Sequence, residues 1–281
     1  MRALLRDRRA AFGVYVLATM AVLATAAPLV TTASPAAQHD VVTTRFLRPL
    51  AIDRERVLHP LGTDRFGRDV WTRLLYGARI SLSVSALAVL LSVVLGVSVG
   101  AAAGFTGYGL GTVLLGVTDF ALALPRVVLL LLLASLWRPS TTLVILVLGL
   151  TGWMTIARLV YGEVRALAVR PFVEGALALG ARRSRVLWRH ILPNAMTPVI
   201  VAAALGVGNA ILLEAGLSFL GVGVQPPTAS WGNMIASGRD TLVNAPWIAA
   251  APGVALVLVV VACTLLGDAL RDRLAADGGR R

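Results

Sequence analysis

Apolar segments about as long as a bilayer is thick alternate with shorter polar segments along the chain. About 20 apolar residues in a helix cross the hydrocarbon core of a membrane, so each such segment predicts a spanning helix. We expect six spans, over residues 10–30, 80 to about 104, 112–136, 141–160, 195–224 and 247–267. The pattern therefore predicts an all-α, polytopic membrane protein with about six transmembrane helices.

The first apolar segment has two interpretations. It follows arginines at positions 2, 6, 8 and 9, as the apolar region of a signal peptide would, and residues 32–37 resemble a cleavage site. Its length is that of a spanning helix, so we interpret it as a retained first span, with cleavage as the alternative. The uncharged segment 80–118 is too long for one span, and glycines at 104, 107, 109 and 111 predict a turn within it.

Three parts follow from this pattern. Residues 1–79 would hold the first span and an extracytoplasmic loop, residues 80–273 the transmembrane core, and residues 274–281 a flexible cytoplasmic tail. The loop ends in a segment that places Val70, Trp71, Leu74, Leu75 and Ala78 on one helical face. This face predicts an interfacial helix that lies on the membrane before the chain turns inward.

Residues 170–194 are polar and arginine-rich, although two long apolar segments flank them. Pro171 favours a helix start, Glu174 suits its first turn, and Gly180 suits a left-handed C-terminal cap. A second short helix would carry Val186, Leu187 and Ile191 on one side, and Pro193 would end it. The segment predicts two short helices that form a compact knob at the membrane face. The alternative is an amphipathic loop resting on lipid headgroups.

Ionisable residues inside the predicted spans are candidates for a transport pathway or for helix packing, because lipid disfavours them. Asp119 and Arg126 lie seven residues apart in the third span, which places them on one helical face. Pro125 stands between them, and Glu214 interrupts the fifth span.

Composition narrows the class of protein. The chain is 57% hydrophobic and has a formal net charge of +12, and its basic residues are all Arg. Topology explains that charge better than nucleic-acid binding, because the arginines flank apolar spans and 15 of the 26 lie on the expected cytoplasmic side. A P-loop requires Lys, so this chain does not carry that ATP site. The lone Cys263 and the separated His39, His59 and His190 give no basis for a disulfide or a metal site.

Three sequence blocks resemble the permease subunits of ABC importers, in the branch that transports dipeptides, oligopeptides and nickel. The cytoplasmic block resembles the EAA loop of that family, with Gly175 where a second Ala is usual and a His-Ile-Leu-Pro ending. The family pattern falls on Glu174, Gly175, Ala176, Gly180, His190, Ile191, Leu192 and Pro193. The extracytoplasmic blocks fall on Gly62, Thr63, Asp64, Gly67, Arg68 and Asp69, and on Gln225, Pro226, Pro227 and Trp231.

The resemblance covers roughly residues 59–273 and implies a type I ABC importer permease fold in a bacterial plasma membrane, with both termini cytoplasmic. It implies that loop 161–194 couples the spans to an ATPase. It further implies a second, similar permease, two ATP-binding subunits that hold ATP and Mg²⁺, and an extracytoplasmic solute-binding protein. The chain itself would hold no cofactor and perform no covalent chemistry. The implied solute is a di- or oligopeptide, with nickel or another small solute as the alternative.

Two other classes of function remain open at the level of sequence. A self-sufficient channel or ion-coupled transporter would use Asp119, Arg126 and Glu214 as pathway charges. A membrane enzyme ranks last, because the sequence has no paired His, Cys or carboxylate cluster at workable spacing.

Overall fold

A computed structural model describes residues 7–31, 34–38, 41–106 and 109–278. The N-terminal part contains helices α1 (Arg8–Thr25), α2 (Ala27–Val30) and α3 (Val41–Thr44), then antiparallel strands β1 (Ala51–Ile52) and β2 (Leu58–His59). The helices that follow are α4 (Val70–Phe105), α5 (Leu110–Ala123), α6 (Arg126–Ser135), α7 (Thr141–Ala168), α8 (Pro171–Ala178), α9 (Arg183–Val186), α10 (Leu192–Phe219), α11 (Trp231–Gly238) and α12 (Trp247–Gly278). The all-α expectation is confirmed, apart from the short β1–β2 hairpin.

Within these described ranges, five helices are long and apolar enough to cross a membrane: α1, α4, α7, α12 and the helical segment that ends with α10. The pair α5 and α6 reaches that length only jointly, and the two are bent by 89°. The third span that we expected over residues 112–136 is therefore not one continuous helix but this bent pair. Pro125 explains the bend, because it lacks an amide hydrogen and forces Leu124 into an extended conformation (ψ 134°).

The expected interfacial helix was also wrong. Residues 70–79 form the first turns of α4, which continues without interruption to Phe105. The apolar face that we assigned to lipid instead packs against protein: Val70 contacts the core around Met234 and Ile248, and Ala78 that around Trp231. Helices α11 and α12 thus cover this face, so it is not available to lie on a membrane surface.

Helices α4 and α7 pack together over most of their length, more extensively than any other pair of elements. Small residues permit this approach, because Gly96, Gly100 and Gly104 recur every fourth residue on the α4 face that meets α7. A Cβ on Gly96 would lie 2.6 Å from the Cβ of Ile156, and one on Gly104 2.9 Å from the Cβ of Val164. The two helices consequently form the rigid centre of the bundle.

The remaining spans surround this pair: α10 packs on α4, α7 and α12, and α1 packs on α12 and α4. The turn between α4 and α5 falls where the glycines predicted it, although Gly107 lies outside the described residues.

Pro193 does not end a helix, contrary to the prediction from the sequence. A π-helical turn (Leu187–Ile191) joins α9 to α10, and Pro193 sits in the first turn of α10, where its missing amide hydrogen is not required.

Candidate functional site

The first half of the knob between α7 and α10 has the local structure that its sequence predicts, whereas its second helix, α9, continues through the π-helical turn into α10. Helix α8 begins at Pro171, and Glu174 lies in its first turn. The chain leaves α8 through Gly180, whose φ of +81° is in the left-handed region. Hydrogen bonds from Gly180 N to Leu177 O (2.9 Å) and from Ala181 N to Ala176 O (3.0 Å) form a Schellman cap. The bend between α8 and α9 is therefore fixed by the backbone itself.

The knob is anchored in the helical bundle by buried apolar side chains. Val173, Val186 and Ile191 are each at most 1% exposed, and they share one core cluster with Val160 and Val164 of α7. Leu192 belongs to the same cluster at 7% exposure. A displacement of the knob would therefore move the end of α7 with it, because close-packed side chains transmit force rather than deform.

The outer surface of the knob carries several apolar side chains that are unusually exposed. Leu179 is 91% exposed and Trp188 66%, and Phe172 and Leu177 are also exposed. Glu174, Gly175, Gly180, His190 and Pro193 lie on the exposed part of the knob, whereas Ala176 is half-buried. Exposed apolar side chains surrounded by arginines suit either a protein partner or the membrane surface. We call this exposed face of residues 169–190 the docking surface.

Glu214 lies at the opposite end of α10 and is completely buried. Its carboxylate accepts hydrogen bonds from Ser81 of α4 (3.0 Å) and from Ser218 one turn along α10 (2.8 Å). Ser81 in turn accepts a bond from the backbone N–H of Trp231 in α11, and Ser218 accepts one from Val224 N. This network fastens three helices and a loop together, which favours helix packing over contact with solute.

The expectation that Asp119 and Arg126 share one helical face was wrong, because the helix is bent at Pro125 between them. Asp119 instead accepts two hydrogen bonds from Arg158 of α7, at 2.8 and 2.9 Å, on a half-exposed surface. Arg126 begins α6 and points into a cavity between helices, with no hydrogen-bond partner for its Nε atom among the described residues. The two charges thus have different environments and different roles.

The first extracytoplasmic block forms a tightly bonded loop ahead of α4. The carboxylate of Asp64 accepts hydrogen bonds from the backbone N–H groups of Phe66 and Arg68 and from Arg68 Nε, at 2.7–3.0 Å. The Thr63 hydroxyl holds the neighbouring segment by accepting from Leu47 N and donating to Thr44 O. Gly62 and Gly67 both have positive φ, as such close turns require. These contacts indicate a structural role.

Asp69 connects this loop to α4. It caps the helix through Thr72 N (2.7 Å), and its other oxygen bonds to His59 Nδ1 (2.9 Å). The opposite ring nitrogen of His59 contacts Asp53 at 3.4 Å. Burial raises the pKa of Asp53, but hydrogen bonds from Val57 N and His59 outweigh it and hold that pKa below its ordinary value. Among the described residues, no group of three or more His, Cys, Asp or Glu side chains is placed to hold a metal ion.

The second extracytoplasmic block leads into α11. Gln225 donates to the carbonyls of Gly221 and Gly223, and Pro226 and Pro227 form the turn that follows. Ser230 caps α11, and the buried Trp231 ring donates to Leu74 O of α4 (3.1 Å). The block therefore locks α11 onto α4.

Sequence reasoning missed two features. The repeat of small residues along α4 was readable as the spacing 92, 96, 100 and 104, which is typical of closely packed membrane helices. The cavity beside Arg126 was not readable, because its polar lining residues Thr155 and Asn209 come from separate helices and follow no local pattern.

Comparison with known proteins gives consistent matches. The model of the family described as binding-protein-dependent transport system inner membrane component matches residues 92–277. A dipeptide transport system permease protein of Alkalihalophilus pseudofirmus is 35% identical over 269 residues, which cover 96% of this chain and 86% of that protein. A putative peptide transport system permease protein of Brucella abortus is 38% identical over 273 residues, covering 97% and 89% respectively.

A solved structure is also similar. One chain of the methionine ABC transporter MetNI, in an inward-facing conformation, matches with a TM-score of 0.59. The match covers 71% of this chain and 95% of that chain at 20% sequence identity. At this level of identity the likeness concerns the fold, and it agrees with the predicted type I importer arrangement of helices.

Proposed function

Since the chain belongs to the family of binding-protein-dependent transport system inner membrane components, we propose that it is one of two permeases of an ATP-driven peptide importer. The peptide as solute comes from the names of its relatives, two of which it matches over nearly its whole length. The single structural observation that carries the proposal is the docking surface, on a knob whose base is buried and whose outer face presents apolar side chains among arginines. An ATP-binding subunit is the partner that such a surface fits.

The proposed mechanism is alternating access driven by that partner. ATP-dependent closure of the ATP-binding subunits would move the knob, and the buried contacts of Val173, Val186 and Ile191 would pass the movement to α7. Because α7 packs closely on α4, the two helices would move as one body and change the side from which the central cavity opens. The residues of this chain contribute positioning and force transmission, and ATP and Mg²⁺ would be bound by the partner subunits.

The assembly that we propose has a second, similar permease, two ATP-binding subunits and an extracytoplasmic solute-binding protein. It would reside in a bacterial plasma membrane with both termini of this chain in the cytoplasm. In that orientation the docking surface faces the cytoplasm, and the bonded loop around Asp64 faces outward, where the binding protein delivers solute. Glu214 would stabilise the outer end of the bundle.

The test is uptake of a radiolabelled dipeptide by proteoliposomes that contain the purified complex, with and without ATP in the compartment of the ATP-binding subunits. We expect uptake only when ATP, the binding protein and both permeases are present. An ATP-binding subunit should also co-purify with the tagged chain. Uptake by this chain alone, or uptake driven by an ion gradient without ATP, would support a self-sufficient transporter and contradict the proposal. Uptake of nickel but not of dipeptide would show that the solute is nickel, and the proposed transport mechanism would stand.

A further inference from the structure

A cavity of about 350 Å³ lies between α4, α6, α7 and α10. Its walls come from Ser92 of α4, Gly152 and Thr155 of α7, and Asn209 of α10, which all lie well inside helices long enough to span a membrane. Its volume is within the range of sites that bind small ligands. The cavity is thus at the depth and of the size that a solute crossing the bundle would require.

One cation faces this otherwise mostly apolar cavity. Arg126 lines it, and no Asp or Glu is among the described residues that do. The Nε atom of Arg126 is buried, and the described part of the chain offers it no hydrogen-bond partner. The nearest acidic residue in sequence, Asp119, is already paired with Arg158. Arg126 as a whole is half-buried, so the unpaired, buried Nε is the part of the guanidinium that gains most from a ligand that supplies an anion.

The local backbone and a neighbouring glycine position the Arg126 side chain at the cavity. Arg126 follows Pro125, whose ring fixes φ at −59°, and it begins α6, so the unpaired N–H groups of that first turn lie at the same end. Gly152 leaves room for the side chain: a Cβ there would lie 3.2 Å from Arg126 Nη2 and would also press on the Ser92 hydroxyl. The helix terminus and the arginine together create a positive potential in the cavity.

We infer that Arg126 binds the carboxylate of the solute during its passage through the permease, an inference that rests on the proposed transport function. The planar guanidinium presents paired N–H donors that match a carboxylate, and such pairs are strong where water is excluded. Thr155 and Asn209 offer hydrogen-bonding groups to the rest of the solute, and the apolar walls accept side chains of varied shape. Arg126 is therefore a specificity-determining residue for solutes that carry a free carboxylate.

The first experiment compares alanyl-alanine with its C-terminal amide. In the purified complex, with saturating binding protein, we expect Arg126→Gln to lower alanyl-alanine uptake by about 10- to 100-fold, the range expected for lost hydrogen bonds between charged groups. Uptake of the amide should change less than twofold. Arg126→Lys should retain part of the uptake, because it keeps the charge without the paired donors. Arg138→Gln is the matched control, since Arg138 is exposed beyond the other end of α6.

The second experiment separates this inference from the proposed function. Thermal unfolding of the complex without binding protein is measured with each of the two peptides at millimolar concentration. We expect alanyl-alanine, and not the amide, to stabilise the wild type, and neither to stabilise Arg126→Gln. If wild type takes up neither peptide yet shows acid-specific stabilisation, the peptide function fails and the carboxylate site stands.

Two outcomes would overturn the inference. The first is equal stabilisation and uptake of acid and amide by the wild-type complex, which needs no variant to fold. The second is a loss in Arg126→Gln that affects acid and amide alike, which would place the anion on the partner permease instead of the solute.

Discussion

Substitution of Gly100 tests the rigid centre on which the proposed mechanism depends. A Cβ at this position would contact Ala157 O far inside van der Waals distance and lie 2.8 Å from the Cβ of Val160. Carbon atoms pack best about 3.5–4.0 Å apart, so α4 and α7 would have to separate by roughly 1 Å. The obstructing atoms belong to backbone and to a β-branched side chain, neither of which can rotate away.

The expected magnitude is the difference between two effects. Overpacking a close-packed contact costs about 1–3 kcal/mol, and Ala gains about 1 kcal/mol over Gly in helix propensity. Gly100→Ala should therefore lower the free energy of unfolding by up to about 2 kcal/mol, and Gly100→Leu by more. At roughly 2–4 °C per kcal/mol, the Tm of the Ala variant should fall by up to about 8 °C.

The assay is thermal unfolding of the detergent-purified complex, followed by the loss of its gel-filtration peak. Gly162→Ala is the matched control, because Gly162 lies in α7 and a Cβ there would meet nothing within 4 Å. This control should be neutral or gain up to about 1 kcal/mol. A Gly100→Ala variant as stable as Gly162→Ala would refute the close contact between α4 and α7 and the transmission of movement through it.

Three further predictions concern other parts of the molecule. Glu214→Leu should destabilise the complex by about 1–3 kcal/mol in the same unfolding assay, since it breaks a buried network, whereas Glu214→Gln should retain most stability and uptake. Gly180→Val should leave the chain inserted but lower both co-purification of the ATP-binding subunit and dipeptide uptake, because a β-branched residue strains the left-handed cap by at least ~1–2 kcal/mol. Arg183→Ala should lower both less. A larger loss in Arg183→Ala than in Gly180→Val would indicate that the loop binds lipid. In a cysteine-free background, a cysteine replacing Leu50 should react with a membrane-impermeant thiol reagent on intact cells, and a cysteine replacing Arg271 should not. Labelling of Arg271→Cys alone would show that the topology is the reverse of the one proposed.

The first helix of the knob and its cap could be predicted because their determinants are local. Pro171 sets the helix start through its own ring, and Gly180 ends the helix because the cap requires positive φ. The period of Val186 and Ile191 identified the buried face as well. Each signal acts within one or two turns of the residue that carries it, so neighbouring elements did not need to be known.

The course of α4 could not be predicted, because the same apolar face suits lipid or protein. Val70, Leu74 and Ala78 have the spacing of an interfacial helix, yet Trp231 and Met234 of α11 cover them in the structure. Those partners lie more than 150 residues away in the chain. Sequence periodicity identifies which face is buried, and only the tertiary arrangement identifies what buries it.

The charged residues within the spans show the same limit of sequence periodicity, and in their case the tertiary arrangement also bears on function. Spacing along a straight helix placed Asp119 and Arg126 on one face. Pro125 bends the helix by 89°, and Arg158 of α7 takes the carboxylate instead. Arg126 is left facing a cavity without an anion of its own chain among the described residues, and its buried Nε atom has no hydrogen-bond partner there. The bend that made the prediction from the sequence wrong is therefore also what leaves Arg126 available to a solute.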